Sequence, residues 1–278
     1  MKKLLLAGAA FGVMALGATL VTDAQSMGYG DCKVEGKMGS NKFAPAIKGQ
    51  LTVEVSLPAP NFFNGDTPET IRSGLEYCMA ANIAHRAGIA KVVVKNVSFD
   101  ALVAGQTKDF DLALSQISIT DARKKVVDFS AAYFSSDVGV LSKKGAKFND
   151  ATTIRAAIIG VQQGTTGEYF AQNILKAKNF KVFPDSTSMF TAVLAGQVDV
   201  ALTDTAIVLG QAKASNGALE VLGQFKTGEE YGALFPKGSK NRAVINRILN
   251  AMIKDGTIKR LSGEYFGGDP TDVAFFKL

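Results

Sequence analysis

The chain has 278 residues, a formal net charge of +6, 47% hydrophobic and 20% charged residues, two cysteines and one histidine. A chain of this length can bury a large core or divide into two domains, and its ordinary composition excludes a low-complexity or disordered protein. One histidine and two cysteines are too few for a zinc site, and the scattered lysines argue against nucleic acid while leaving room for an anionic ligand.

At the N-terminus Lys2 and Lys3 precede an apolar run over 4–20, and Thr22-Asp23-Ala24 places small residues where a signal peptidase reads them. This predicts a cleavable signal peptide over 1–24 and a periplasmic location. A membrane anchor is the rival, since the run is nearly long enough to span. Its many Gly and Ala residues favour cleavage. Cys32 follows a charged residue and has no aliphatic residue three before it, which argues against a lipoprotein. Cys32 and Cys78 can pair in an oxidising compartment. The bridge would tie the N-terminal extension to the first helix and contribute roughly 3–4 kcal/mol in the chain-entropy model. Alternatively, Cys78 is a small core residue and Cys32 is free.

Residues 25–48 are polar and rich in Gly and Lys, and read as an irregular extension. Residues 51–56 alternate as a strand does. Pro58, Pro60, Asn64-Gly65 and Pro68 break it into a loop carrying Phe62 and Phe63. Leu75, Met79 and Ile83, at spacing four, predict a helix over 73–87 stopped by Gly88, with His85 on its solvent face. A strand over 91–97 precedes a short helix behind Phe99, for which Asp100 is the candidate cap. Strands are then predicted over 110–114, 137–141, 156–162, 180–183, 198–202, 219–222 and 231–235. Helices are predicted over 168–176, from Ser186 or Thr187 to Ala195, and over 205–212. Residues 241–254 form an amphipathic helix with Ile245, Ile248, Leu249, Met252 and Ile253 on one stripe. A last helix covers 258–265. Strand and helix alternate in the rhythm of a parallel α/β sheet.

Three places along this pattern carry chemistry. The strand over 110–114 runs into Ser115, Gln116, Ser118 and Thr120, a turn at Asp121, and Arg123. Strand ends in open α/β sheets are where ligands bind, and hydroxyls with a guanidinium fork suit a small carboxylate. The same residues also read as a helix cap with a surface arginine. Gly164-Thr165-Thr166-Gly167 opens a helix and presents free N–H groups and hydroxyls to an anion, or is simply a capped helix start. It lacks the Lys-[Ser/Thr] ending of a phosphate loop. Thr203-Asp204 ends an apolar strand; the acid either neutralises an ammonium group or caps the next helix.

As an ordered set these stretches resemble the family 3 solute-binding proteins, the polar amino-acid receptors of bacterial ABC importers. The resemblance rests on Ser118-Ile119-Thr120-Asp121-Ala122-Arg123, Asp128-Phe129-Ser130 and Tyr133-Phe134. It continues in GQLTVEVS, NVSFDALVAG, VQQGTTGEYF, GQVDVALTD, EEYGALFPKGS and DGTIKRLSGEYFG, spanning about 49–267. It implies an α/β fold of the periplasmic binding protein type II, with lobes at 49–133 plus 232–278 and at 138–226. Hinge segments at 134–137 and 227–231 join them, and the ligand cleft lies between. It implies that Arg123, Ser118 and Phe99 from the first lobe meet Thr165, Thr166 and Asp204 from the second. Arg123 and Thr166 would face a ligand's carboxylate and Asp204 its ammonium. Asp199 matches a structural position. The implied function is capture of a polar amino acid and delivery, as a monomer, to the membrane subunits of an importer, without cofactor or catalysis.

Two departures concern the ligand's side chain. Leu57-Pro58-Ala59-Pro60 stands where the family often has a stacking aromatic, so Phe62 or Phe63 is the substitute. Gln116 stands where a small residue is usual, and either adds an amide contact or narrows the pocket. The rival functions are a cyclohexadienyl dehydratase-like enzyme on the same fold, a receptor for a chemosensor, and a dicarboxylate binder. Asp204 argues against the last, because a buried acid repels a second carboxylate.

Overall fold

The computed structural model describes residues 28–266 and 273–278, so the expected signal peptide lies outside the described residues. The strands follow the order β2-β1-β3-β8-β4-β7-β5-β6. At one end β1 (Leu51–Val55) pairs in parallel with β2 (Val92–Asn96) and β3 (Leu112–Ala113). At the other end β5 (Ile158–Gln162) pairs in parallel with β6 (Asn179–Phe183) and β7 (Val200–Asp204). Between the two triples run two long antiparallel strands, β4 (Val127–Lys143) and β8 (Leu219–Pro236). This is the type II periplasmic binding protein fold, with two α/β lobes and two strands shared between them.

The long strands are the main difference from the sequence reading, which divides β8 into strands at 219–222 and 231–235 and gives β4 only its part over 137–141. Extended backbone continues through the crossing because each strand satisfies the other's N–H and C=O groups. Phe134 pairs with Tyr231, Ser135 with Glu230 and Ser136 with Glu229; the register then shifts to Val138 with Phe225. Asp137 holds this bulge: its carboxylate accepts from the N–H groups of Thr227 at 2.7 Å and Gly228 at 2.8 Å. Gly228 has φ +65°, a conformation glycine adopts without Cβ strain.

Helices cover the sheet in the first lobe. α1 (Leu75–Ala87) ends at Gly88 in the left-handed conformation. α2 (Phe99–Val103) is capped by Ser98, not Asp100, and α3 (Asp121–Lys124) by Thr120. In the second lobe α4 (Ala151–Ala156) carries a capping box headed by Asp150. The reading assigned its end to the following strand. α5 (Thr166–Tyr169) runs into a π turn over Phe170–Ile174. α6 (Ser186–Ala195) is capped by Asp185. α7 (Thr205–Ala214) follows β7 directly. α8 (Arg242–Lys254) buries Ile245, Ile248, Leu249 and Met252 but leaves Ile253 exposed, and α9 (Thr257–Phe266) packs beside it.

The core alternates with strand period two. In the second lobe Val138, Val140, Val200 and Leu202 pack on one face with Phe170 and Phe225. Leu141 and Ala201 join Met189, Phe190 and Val208 on the other. The extension lies over α1 and is fastened to it by the Cys32–Cys78 disulfide. It half-buries His85, whose Nε2 is 3.0 Å from the Gly36 carbonyl, so that ring is only partly in solvent. The chain's tail forms β9 (Phe275–Phe276), which pairs with Gln224 and Phe225 of β8. The Phe276 ring packs tilted against Phe225 of the second lobe's core, with ring centres 5.3 Å apart.

Candidate functional site

The C-terminal ends of the parallel strands converge on one narrow cleft. Ser56 follows β1, Ser115 follows β3, Gln162 ends β5 and Asp204 ends β7, and all four line it. This is the position that open α/β sheets reserve for ligands. The first lobe also supplies Gln116, Ser118, Arg123, Phe99 and Pro58, and the second supplies Thr165, Thr166 and Ile207.

Arg123 is 8% exposed. Its placement begins with Thr120, whose hydroxyl accepts from the Arg123 N–H at 3.2 Å and turns the chain inward. The guanidinium then donates to the Ser118 carbonyl at 2.7 Å and, across the cleft, to the Gly164 carbonyl at 3.0 Å. It lies 5.4 Å from the centre of the Phe99 ring, a cation–π distance. Burial lowers its pKa, while the charges of Asp204 and Glu229 oppose that shift.

Asp204 is 4% exposed and occupies the N-cap position of α7, yet its side chain makes no capping bond. Its carboxylate lines the cleft with the Tyr231 hydroxyl beside it. Burial pushes its pKa well above the ordinary carboxylate range; Glu229 adds to the rise, and the Tyr231 hydroxyl and Arg123 oppose it. Thr166 sits opposite Ser118. Its helix approaches β7 so closely that a Cβ on Gly167 would stand 2.7 Å from the Leu202 carbonyl oxygen, and glycine there brings α5 against the strand bearing Asp204.

Three predicted residues differ from expectation. Phe62 does not reach the cleft. It is 1% exposed and packs against Phe134, Tyr231 and Phe266 in the first lobe's core. The chain turns back at Ala59, whose carbonyl accepts from the N–H groups of both Phe62 and Phe63, and this carries the rings inward. Pro58, Phe99 and Ile207 supply the apolar walls instead. Thr165 lines the cleft, but its hydroxyl accepts from the Glu168 N–H and donates to the Gln162 carbonyl, so it is a helix cap. Gln116 adopts φ +51°, a left-handed conformation that explains why a small residue suits the position. Its side-chain amide donates to Glu76 at 2.5 Å rather than standing free.

Two acids were missed by sequence reasoning. Glu76 is fully buried behind Gln116, where its carboxylate accepts from the Gln116 N–H and amide and from the Tyr133 hydroxyl. Burial raises its pKa to about 7 against the three donors. Glu229 accepts from the hydroxyls of both Ser118 and Thr166. Its signal was available: it stands two residues before Tyr231 in one strand, hence on the same face. Among the described residues no group of three or more His, Cys, Asp or Glu side chains could hold a metal ion.

A two-lobed α/β protein with opposite charges buried at a shared cleft is a solute receptor in architecture. The chain belongs to the bacterial extracellular solute-binding proteins, family 3, which it matches over residues 51–268. It is 29% identical over 229 residues to the L-cystine-binding protein TcyJ of Escherichia coli (strain K12), covering 81% of this chain and 85% of that protein. It superposes on an ancestral arginine-binding protein bound to glutamine with a TM-score of 0.72 at 30% identity, covering 80% of this chain and all of that one. The arginine-, lysine-, histidine-binding protein ArtJ from Geobacillus stearothermophilus gives 0.71 at 30% identity, covering 80% and 96% of the two chains.

Proposed function

We propose that this protein captures a free amino acid between its lobes and hands the closed form to the membrane subunits of an ABC importer. In this reading Arg123, Ser118 and Thr166 take the ligand's carboxylate, and Asp204 takes its ammonium. Pro58, Phe99 and Ile207 flank the side chain. The reading takes 49–133 plus 232–278 and 138–226 as the two lobes, with the hinge at 134–137 and 227–231. A signal peptide over 1–24 would export the chain to the periplasm.

One observation carries the reading. Arg123 and Asp204 reach a single cleft from different lobes, and Asp204 stands at a helix start without capping it. A buried carboxylate excused from capping is available to an ammonium group, and neither lobe alone can neutralise a zwitterion. The ligand therefore favours the closed arrangement by the difference in affinity between the two forms. L-Cystine, L-arginine, L-lysine, L-histidine and L-glutamine are the first candidates, because relatives carry those names or ligands. A thermal-shift screen of the common amino acids and cystine tests this. One or a few should raise the melting temperature, and a flat response to all of them would remove the amino-acid assignment.

A further inference from the structure

Glu229 lies in β8, half-buried and on the same strand face as Tyr231 two residues on. Its Oε2 accepts from Ser118 Oγ at 2.5 Å and from Thr166 Oγ1 at 2.6 Å. Its Oε1 accepts from Thr227 Oγ1 at 3.2 Å. Ser118 belongs to the turn after β3 and Thr166 to α5, so one carboxylate oxygen bridges the two lobes from the strand they share. Both charged anchors feel it: Glu229 raises the pKa of Asp204 and helps to keep Arg123 charged. Hydrogen bonds from a hydroxyl to an ionised carboxylate are charge-assisted and stronger than those between neutral groups.

The two hydroxyls are those assigned above to the ligand. Each has one proton to donate, so each serves Glu229 or an incoming carboxylate but not both. Two carboxylates at one pair of donors also repel. We propose that Glu229 is an internal stand-in for the ligand's carboxylate: it latches the empty lobes together, and an amino acid binds by displacing it from Ser118 and Thr166. This rests on the amino-acid reading. The ligand then gains only the difference between its own bonds and those it replaces, and affinity is set below what the cleft could deliver.

Glu230, the next residue, is exposed on the opposite strand face and serves as a control. The test uses Glu229→Ala and Glu230→Ala in the full chain, with small-angle scattering of the ligand-free protein and calorimetry with L-arginine, L-glutamine and L-cystine. Glu229→Ala should enlarge the ligand-free radius of gyration, and Glu230→Ala should not. Whichever amino acid the unmodified protein binds should bind Glu229→Ala about tenfold more tightly, the worth of roughly one such hydrogen bond. An unchanged radius, or an affinity unchanged or lowered, overturns the proposal. If circular dichroism shows Glu229→Ala to be unfolded, Thr166→Val removes one donor and must open the empty protein in the same way. Should the unmodified protein bind none of the three, the amino-acid reading loses its first candidates, while the scattering comparison still decides the latch.

Discussion

Two fully or nearly buried carboxylates flank the cleft, one in each lobe, and each has a tyrosine beside it. Glu76 sits behind the first lobe's wall and is enclosed by three donors from its own lobe. Asp204 sits in the second lobe's wall, makes no capping bond and opens onto the cleft. Burial raises the pKa of both. A buried acid whose acceptor sites are filled from within shapes the wall. One left open at a strand end is set to receive something from outside. Perturbed titration alone does not separate the two; the completeness of the hydrogen bonding does.

The sharpest way to break this comparison is to remove the anchors. Asp204→Ala and Arg123→Ala should each weaken amino-acid binding by about 30-fold or more, since breaking a buried charge-assisted pair costs roughly 2–5 kcal/mol. Glu76→Gln should change that affinity far less. Calorimetry on the three variants checks this, and equal losses at Glu76 and Asp204 would erase the distinction.

Proton linkage gives the next largest effect. Glu76 has a folded pKa of about 7, above the ordinary 4.5. The folded protein therefore binds the extra proton, and the resulting stability is fully present below pH 4.5 and lost as pH rises through 7. The whole step is about 3 kcal/mol. Asp204 is raised in the same direction. Melting temperature should be higher at pH 5 than at pH 8, and Glu76→Gln should flatten that slope. Ligand affinity should run the opposite way. Acid protonates Asp204 and removes the charge that holds the ammonium, so calorimetry should show weaker binding as pH falls.

The smallest effect separates two adjacent threonines. Thr165 caps α5, whereas the Thr166 hydroxyl faces the cleft. Thr165→Val should lower stability by about 1 kcal/mol with affinity nearly unchanged. Thr166→Val should alter binding with little loss of stability. Denaturant titration beside calorimetry distinguishes them.

Much of the cleft's lining was legible in the sequence. Arg123, Ser118, Thr166 and Asp204 all line it and all follow apolar strands, and strand ends are read from short-range pattern. Glu76 was not legible, because it lies within a helix whose apolar spacing describes the core and says nothing of what faces its one acid. Glu229 was closer to view, but its place depends on β8 running unbroken through the crossing. The sequence pattern alone divides that strand at 223–230.

The chain alone carried the alternation of strand and helix and the polar residues that follow the strands, both of which rest on local spacing. The family resemblance supplied the ligand roles expected of Arg123 and Asp204, and the structure supplied the pairing of Cys32 with Cys78. Tertiary packing decided the rest. It turned Phe62 inward to Tyr231, tied Gln116 to Glu76, gave Thr165 to its own helix, and drew Ser118 and Thr166 onto one carboxylate. The physical reason is that each of these side chains has more than one acceptable partner. Which partner it takes depends on segments tens of residues away arriving at the same place.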